Sequence, residues 1–180
     1  WMDVTASDSA HGHVKIRFCR TGGGDAIIDF RGRRLTRIVA NGIPLATDAF
    51  NGAHIRIPPR LLRAGENSVF VEFVADIAAS GTSIIKTHYA SDGSDYLYTL
   101  LVPADANQLF PCLDQPDLKA RVSFSLTASR TWTVLANGSV ASADTSGDRV
   151  TTRFTETKPL STYLIAFAAG PWQRATSVVR

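Results

Sequence analysis

The sequence predicts an all-β domain, a curved antiparallel sheet or sandwich with at most one very short helix. Three observations carry this. Apolar and polar residues alternate over short runs, turn-forming dipeptides separate the runs, and helical periodicity is almost absent. Turns recur every ~8–15 residues, a spacing that fits a sandwich or a related curved sheet. The 180 residues suit a single domain spanning 1–180, and 44% hydrophobic with 19% charged residues is an ordinary globular balance. A chain of this size can fold without a metal or a disulfide framework.

In the first run, Val14, Ile16 and Phe18 alternate with Lys15 and Arg17. Successive side chains of a strand point to opposite faces, so the run has one apolar face and one wet face. Gly22-Gly23-Gly24 follows as a loop, without the lysine and helix that a phosphate-binding loop needs. Residues 35–40 and 43–45 flank Asn41-Gly42, which tolerates the positive φ of a two-residue hairpin turn. Ile55 and Ile57 flank Arg56, and Pro58-Pro59 ends that strand because proline cannot donate to a ladder. Residues 64–67 open the next strand, where Val69, Val71 and Phe73 share a face. Residues 104–109 are the exception, long enough for a turn or two of helix.

Beyond it, Val122, Phe124 and Leu126 alternate with Ser123 and Ser125. Residues 132–135 lead into Asn137-Gly138, a second candidate hairpin turn, and Ser146-Gly147-Asp148 separates residues 140–143 from 150–154. Residues 163–168 form a near-continuous apolar run and read as a strand buried on both faces. Residues 176–180 begin another apolar stretch, which predicts a domain truncated before its last strand.

The net charge is +3. Arg31, Arg33 and Arg34, with Arg37 close behind, form the one local cluster of cations. No aromatic residues interleave with them, as a single-strand nucleic-acid platform requires, so they read as a solvated turn and strand face. The two cysteines, Cys19 and Cys112, read as free, partly buried thiols. No apolar run reaches the ~18 residues of a membrane span. The first residues lack the charged and apolar regions of a signal peptide. The compartment stays open between cytoplasm and, in a bacterium, periplasm or exterior.

Candidate chemistry is sparse. A helical zinc pair needs histidines at i and i+4 around a glutamate. Of the four histidines, His11 and His13 stand two apart with no acid between them, and His54 and His88 are isolated. No Gly-x-Ser-x-Gly elbow occurs. Phe110-Pro111-Cys112 reads as a buried apolar knot. Asn137-Gly138-Ser139 matches a glycosylation sequon but reads as a turn. A carbohydrate-binding sandwich would want exposed aromatics on one sheet face, a pattern that three scattered tryptophans do not supply. On residues alone this is a domain with no catalytic group, metal or cofactor of its own.

One stretch says more. Tyr96-Leu97-Tyr98-Thr99, then Pro103-Ala104-Asp105-Ala106, then Phe110-Pro111-Cys112-Leu113-Asp114-Gln115-Pro116-Asp117-Leu118-Lys119-Ala120 resembles the N-terminal domain of the zinc aminopeptidase N family, which includes leukotriene hydrolase-like members. Flanking pieces agree, among them Val39-Ala40-Asn41-Gly42 and Pro159-Leu160-Ser161-Thr162-Tyr163-Leu164. The resemblance covers residues 12–172. It implies a saddle-like β domain that packs on a thermolysin-like catalytic domain carrying H-E-x-x-H, a distant glutamate and G-x-M-E-N. None of these motifs occurs here. The chain alone is therefore expected to be non-catalytic. Zinc belongs to a catalytic domain C-terminal to Arg180 in a longer parent, a metallo-aminopeptidase acting on peptides. The expected partners are that domain and peptide substrates in a shared cleft, with no nucleic acid.

The resemblance also implies one loop at the substrate, Thr-Gln-x-Glu. Its glutamine lines the first specificity pocket and its glutamate binds the substrate's α-ammonium. Here the register is Thr99-Leu100-Leu101-Val102, with Leu100 at the glutamine position and Val102 at the glutamate position. Losing one partner of a buried charge pair costs about 2–5 kcal/mol. Three readings follow. Catalytic-domain acids hold the amine alone; or Asp95 or Asp105 substitutes; or the chain is a binding or scaffold module in an inactive homologue. Asp114, Pro116 and Asp117 suit a tight turn, Lys119 starts the following strand, and Trp132 and Trp172 read as core.

Overall fold

A computed structural model describes residues 1–173 and 175. Its strands are β1 (Met2–Asp3), β2 (Ser9–Arg20), β3 (Ala26–Asp29), β4 (Arg34–Ala40), β5 (Ile43–Leu45), β6 (His54–Ile57), β7 (Gly65–Ala78), β8 (Ile84–Tyr89), β9 (Ser94–Thr99), β10 (Ser125–Ser129), β11 (Thr133–Ala136), β12 (Val140–Ser146), β13 (Arg149–Phe154) and β14 (Phe167–Gly170). One helical turn, α1 (Ala106–Leu109), falls within the expected segment, and short 3-10 turns lie at Thr47–Ala49, Pro59–Leu61 and Thr162–Leu164. The all-β expectation holds, and no helix is long and apolar enough to cross a membrane.

Twelve strands form one curled sheet, in the order β11-β14-β9-β8-β7-β2-β1-β10-β13-β12, with β4 on β7 and β5 on β4. The long strand β7 is its spine. It pairs with β2 from Gly65 to Asp76, with β4 from Val69 to Val74, and with β8 at its last two residues. Most pairings are antiparallel, as the alternation requires; β7–β8 and β1–β10 are short parallel exceptions. The small sheet β3–β6 packs on the inner face of the large one. Ile28, Ile55 and Ile57 from the small sheet and Phe30 just after β3 join Val69, Val71 and Phe73 from β7 in one core. The rings of Phe30 and Phe73 meet edge-on, with centroids 5.5 Å apart. Gly12, opposite Phe73, leaves room for that ring: a Cβ there would stand 2.6 Å from Phe73 Cζ.

Asn41-Gly42 turns β4 into β5 with φ of 49° and 86°, and Ser146-Gly147-Asp148 turns β12 into β13. Asn137-Gly138 is not a hairpin. β11 pairs with β14, whereas β12 pairs with β13, so the chain crosses between neighbourhoods at this turn. Nor are residues 163–168 a strand throughout. The apolar run opens as a 3-10 turn with Leu164 exposed, and the ladder begins only at Phe167. Lys119 starts no strand. Ala120 makes one bridge to Leu160, Val122 bonds Thr157, and the regular ladder waits until Ser125. Trp132 packs against the core as expected, but Trp172 is exposed because it lies over Tyr96 on an outer face. Cys19 is also exposed, at the outward-facing end of β2, whereas Cys112 is buried. Residues 176–180 lie outside the described residues.

Arg31, Arg33 and Arg37 of the arginine cluster are solvated but paired. Arg33 bonds Asp76 at 2.6 Å and Asp8 at 3.1 Å, and Arg37 reaches Glu72 at 3.6 Å. Arg37 also lies over the Phe70 ring, 5.7 Å from its centroid, an aromatic neighbour that is remote in sequence.

Candidate functional site

β9 carries the segment of interest out of the sheet. It is fixed on one side by β8, from Ile84↔Thr99 to Tyr89↔Ser94, and on the other by β14 through Ala168↔Tyr98. The Phe167 amide donates to Thr99 Oγ1 at 3.0 Å. The Leu100 amide donates to the Ser83 carbonyl at 3.1 Å, and the Asp105 amide donates to the Leu101 carbonyl at 2.9 Å. Both ends of the loop are thereby held. Between them the strand alternation continues: Leu101 is 2% exposed, while Leu100 and Val102 are 57% and 61% exposed. The Val102–Pro103 peptide is cis. The loop presents two apolar side chains around one buried anchor. It offers no acid or amide at those positions.

The two candidate acids are placed differently. Asp105 follows the loop, and its Oδ1 accepts from Arg31 Nη2 at 2.9 Å and from Gln108 Nε2 at 2.7 Å. Its carbonyl also accepts from Ser83 Oγ at 2.6 Å. Asp95 lies at the other end of β9, five residues from Leu100, or about 16 Å along an extended strand. It meets His88 Nδ1 at 2.9 Å and borders a cleft shared with Lys86, Trp132 and Arg149.

Behind the loop, the signature segment is locked by a polar knot. Asp114 is buried, and its Oδ2 accepts from the Asn107 amide at 3.0 Å and from Asn107 Nδ2 at 2.6 Å. Its Oδ1 accepts from Thr162 Oγ1 at 2.6 Å. The Asp114 amide donates to Asp29 Oδ2 at 3.0 Å, and Asp29 Oδ1 meets His54 Nδ1 at 3.0 Å. Asp29 and Cys112 exchange backbone hydrogen bonds of 2.8 and 3.1 Å. A cleft of about 230 Å³ opens here between Arg31, His54 and Gln115. Its carboxylates already have donors, so the cluster is architectural. Burial, with the Asp114 and Asp29 carboxylates nearby, pushes the Cys112 thiol far above its ordinary pKa. Asp114 does cap a free amide, but in α1 and not in its own turn. Asp29, Asn107 and Thr162 carry no local sequence signal; only the fold brings them together. Among the described residues, no group of three or more His, Cys, Asp or Glu is placed to hold a metal.

Fold and loop together define a class, an all-β domain with an apolar lip at one sheet end. The family model for the peptidase M1 N-terminal domain matches residues 40–164, and the chain belongs to that family. It is 31% identical to aminopeptidase N of Streptomyces lividans over 184 aligned residues, covering 98% of this chain and 20% of that protein. It is 39% identical to the probable M1 family aminopeptidase 1 of Encephalitozoon cuniculi over 115 residues, 62% of this chain and 13% of that protein. Human glutamyl aminopeptidase is 34% identical over 101 residues, 54% of this chain and 11% of that protein. The chain thus spans a fifth or less of the length of these relatives.

Proposed function

We propose that this domain walls the substrate cleft of a zinc metallo-aminopeptidase and lines it with an apolar lip formed by Leu100 and Val102. The observation that supports this reading is the loop itself: two exposed apolar side chains held on either side of the buried Leu101. Zinc, supplied by the catalytic domain, would activate the water that attacks the first peptide bond. This chain's residues supply shape and water exclusion around the N-terminal residue of the substrate, and no proton carrier.

The substrate's α-ammonium needs an anion when it leaves water. Val102 offers none. Asp105 is already engaged by Arg31, and Asp95 stands about 16 Å back along β9. We therefore assign amine binding to acids of the catalytic domain alone. In the full-length protein, Val102→Glu adds an anion at the lip. It should raise kcat/KM for an aminoacyl chromogenic substrate at least about tenfold, mainly through KM. An unchanged kcat/KM would place the loop outside the site.

A further inference from the structure

The dipeptide Asn-Gly occurs three times, at Asn41-Gly42, Asn51-Gly52 and Asn137-Gly138. The pair is chemically reactive. Glycine has no Cβ, so its amide nitrogen can approach the side-chain Cγ of the asparagine before it. Whether that approach leads to bond formation depends on what the fold does to the asparagine side chain.

At two of the sites the side chain is locked. Asn41 Nδ2 donates to the Leu61 carbonyl and to Asn67 Oδ1, both at 2.8 Å, and its Oδ1 accepts from the Ser68 amide at 2.9 Å. Asn137 is held between the Leu164 carbonyl and the Ala166 amide. Gly138 is crowded as well: a Cβ there would stand 2.7 Å from the Thr155 carbonyl oxygen. Asn51 differs. It is exposed, and the space beside Gly52 is open to 4 Å. Its Oδ1 accepts from the Ala53 amide at 3.0 Å and from the His54 amide at 2.7 Å. Two N–H donors on that oxygen stabilise the negative charge that attack at Cγ places there. The leaving nitrogen, Nδ2, has no hydrogen-bond partner among the described residues.

We propose that Asn51-Gly52 is a self-modification site that takes water as co-reactant and converts Asn51 to aspartate and isoaspartate in the folded protein. This inference is independent of the cleft-wall reading. The Gly52 nitrogen gives up its proton to solvent and bonds to Asn51 Cγ. The Cγ–Nδ2 bond breaks, and ammonia leaves with a proton in exchange, giving a cyclic succinimide. Water then opens the ring at either carbonyl. Aspartate places a carboxylate on the same two amides. Isoaspartate adds a methylene to the main chain inside the turn closed by the Asn51–His54 backbone hydrogen bond, next to the histidine that meets Asp29.

The full-length protein, held folded at mildly alkaline pH and digested at intervals, tests this by peptide mass and by enzymatic methylation of isoaspartate. Locked amides must give up hydrogen bonds before the ring can close, so Asn51 should turn acidic at least about tenfold faster than Asn41 or Asn137. In urea, where all three dipeptides lose their partners, the rates should converge. A native rate at Asn51 no faster than at the other two overturns the proposal. So does aspartate without isoaspartate at residue 51, since direct hydrolysis of the amide passes through no ring.

Discussion

Asp114 shows how much one buried carboxylate holds. It accepts three hydrogen bonds from Asn107 and Thr162 at the buried base of the cleft. Removing it leaves those donors buried without an acceptor, at about 1–3 kcal/mol each. Asp114→Ala should lower unfolding stability by about 3 kcal/mol or more in a urea titration; a loss below about 1 kcal/mol would mean that the knot is solvated. The cysteines give a second test. Cys112 is buried with its thiol kept protonated, whereas Cys19 is exposed. Alkylation of the native protein, read by peptide mass, should modify Cys19 alone, because the thiolate is the nucleophile. The sequence marks Cys112 as part of an apolar knot but carries no signal that Cys19, near the end of β2, is exposed. The same limit hid Asp29 and Thr162, whose partner lies 85 and 48 residues away.

Among the elements, the β4–β5 hairpin is the clearest success of local reading. Asn41 and Gly42 both take positive φ, and Asn41 adds bonds to Leu61, Asn67 and Ser68. Gly42→Ala should cost about 1 kcal/mol for the left-handed backbone. Asn41→Ala should cost about 2 kcal/mol, since buried polar partners are also lost. Equal thermal shifts for the two variants would contradict this. Asn137-Gly138 carries the same dipeptide without a hairpin. Its asparagine instead accepts from the Ala166 amide at 2.7 Å and donates to the Leu164 carbonyl at 3.1 Å. A turn signal states that the chain can reverse, not that the next strand returns to the last one. Residues 163–168 misled for a related reason, since an apolar run fits both a 3-10 turn and a strand.

At the scale of the molecule, alternation made the β class and the two-faced strands legible, and the signature segment made the family legible. Sheet order was not. β1 lies between β2 and β10, and Met2 pairs with Leu126 across most of the chain. Partners that distant are chosen by the shape of the closed core, which no window of sequence contains. The fold places no metal ligands together among the described residues. The isolated chain should therefore carry no stoichiometric zinc by elemental analysis after dialysis, and one tightly held zinc per chain would overturn the cleft-wall assignment. The Asp114 knot has a consequence in time. One of its members, Asp29, is made long before its last donor, Thr162. As the chain leaves the ribosome, β2, β4 and β7 can pair early. The segment behind the lip must wait, unlocked, until residue 162 has cleared the exit tunnel. The β2–β4–β7 part of the sheet can form first, whereas the knot behind residues 100–102 closes only after Thr162, and β14 completes the sheet beside β9 later still.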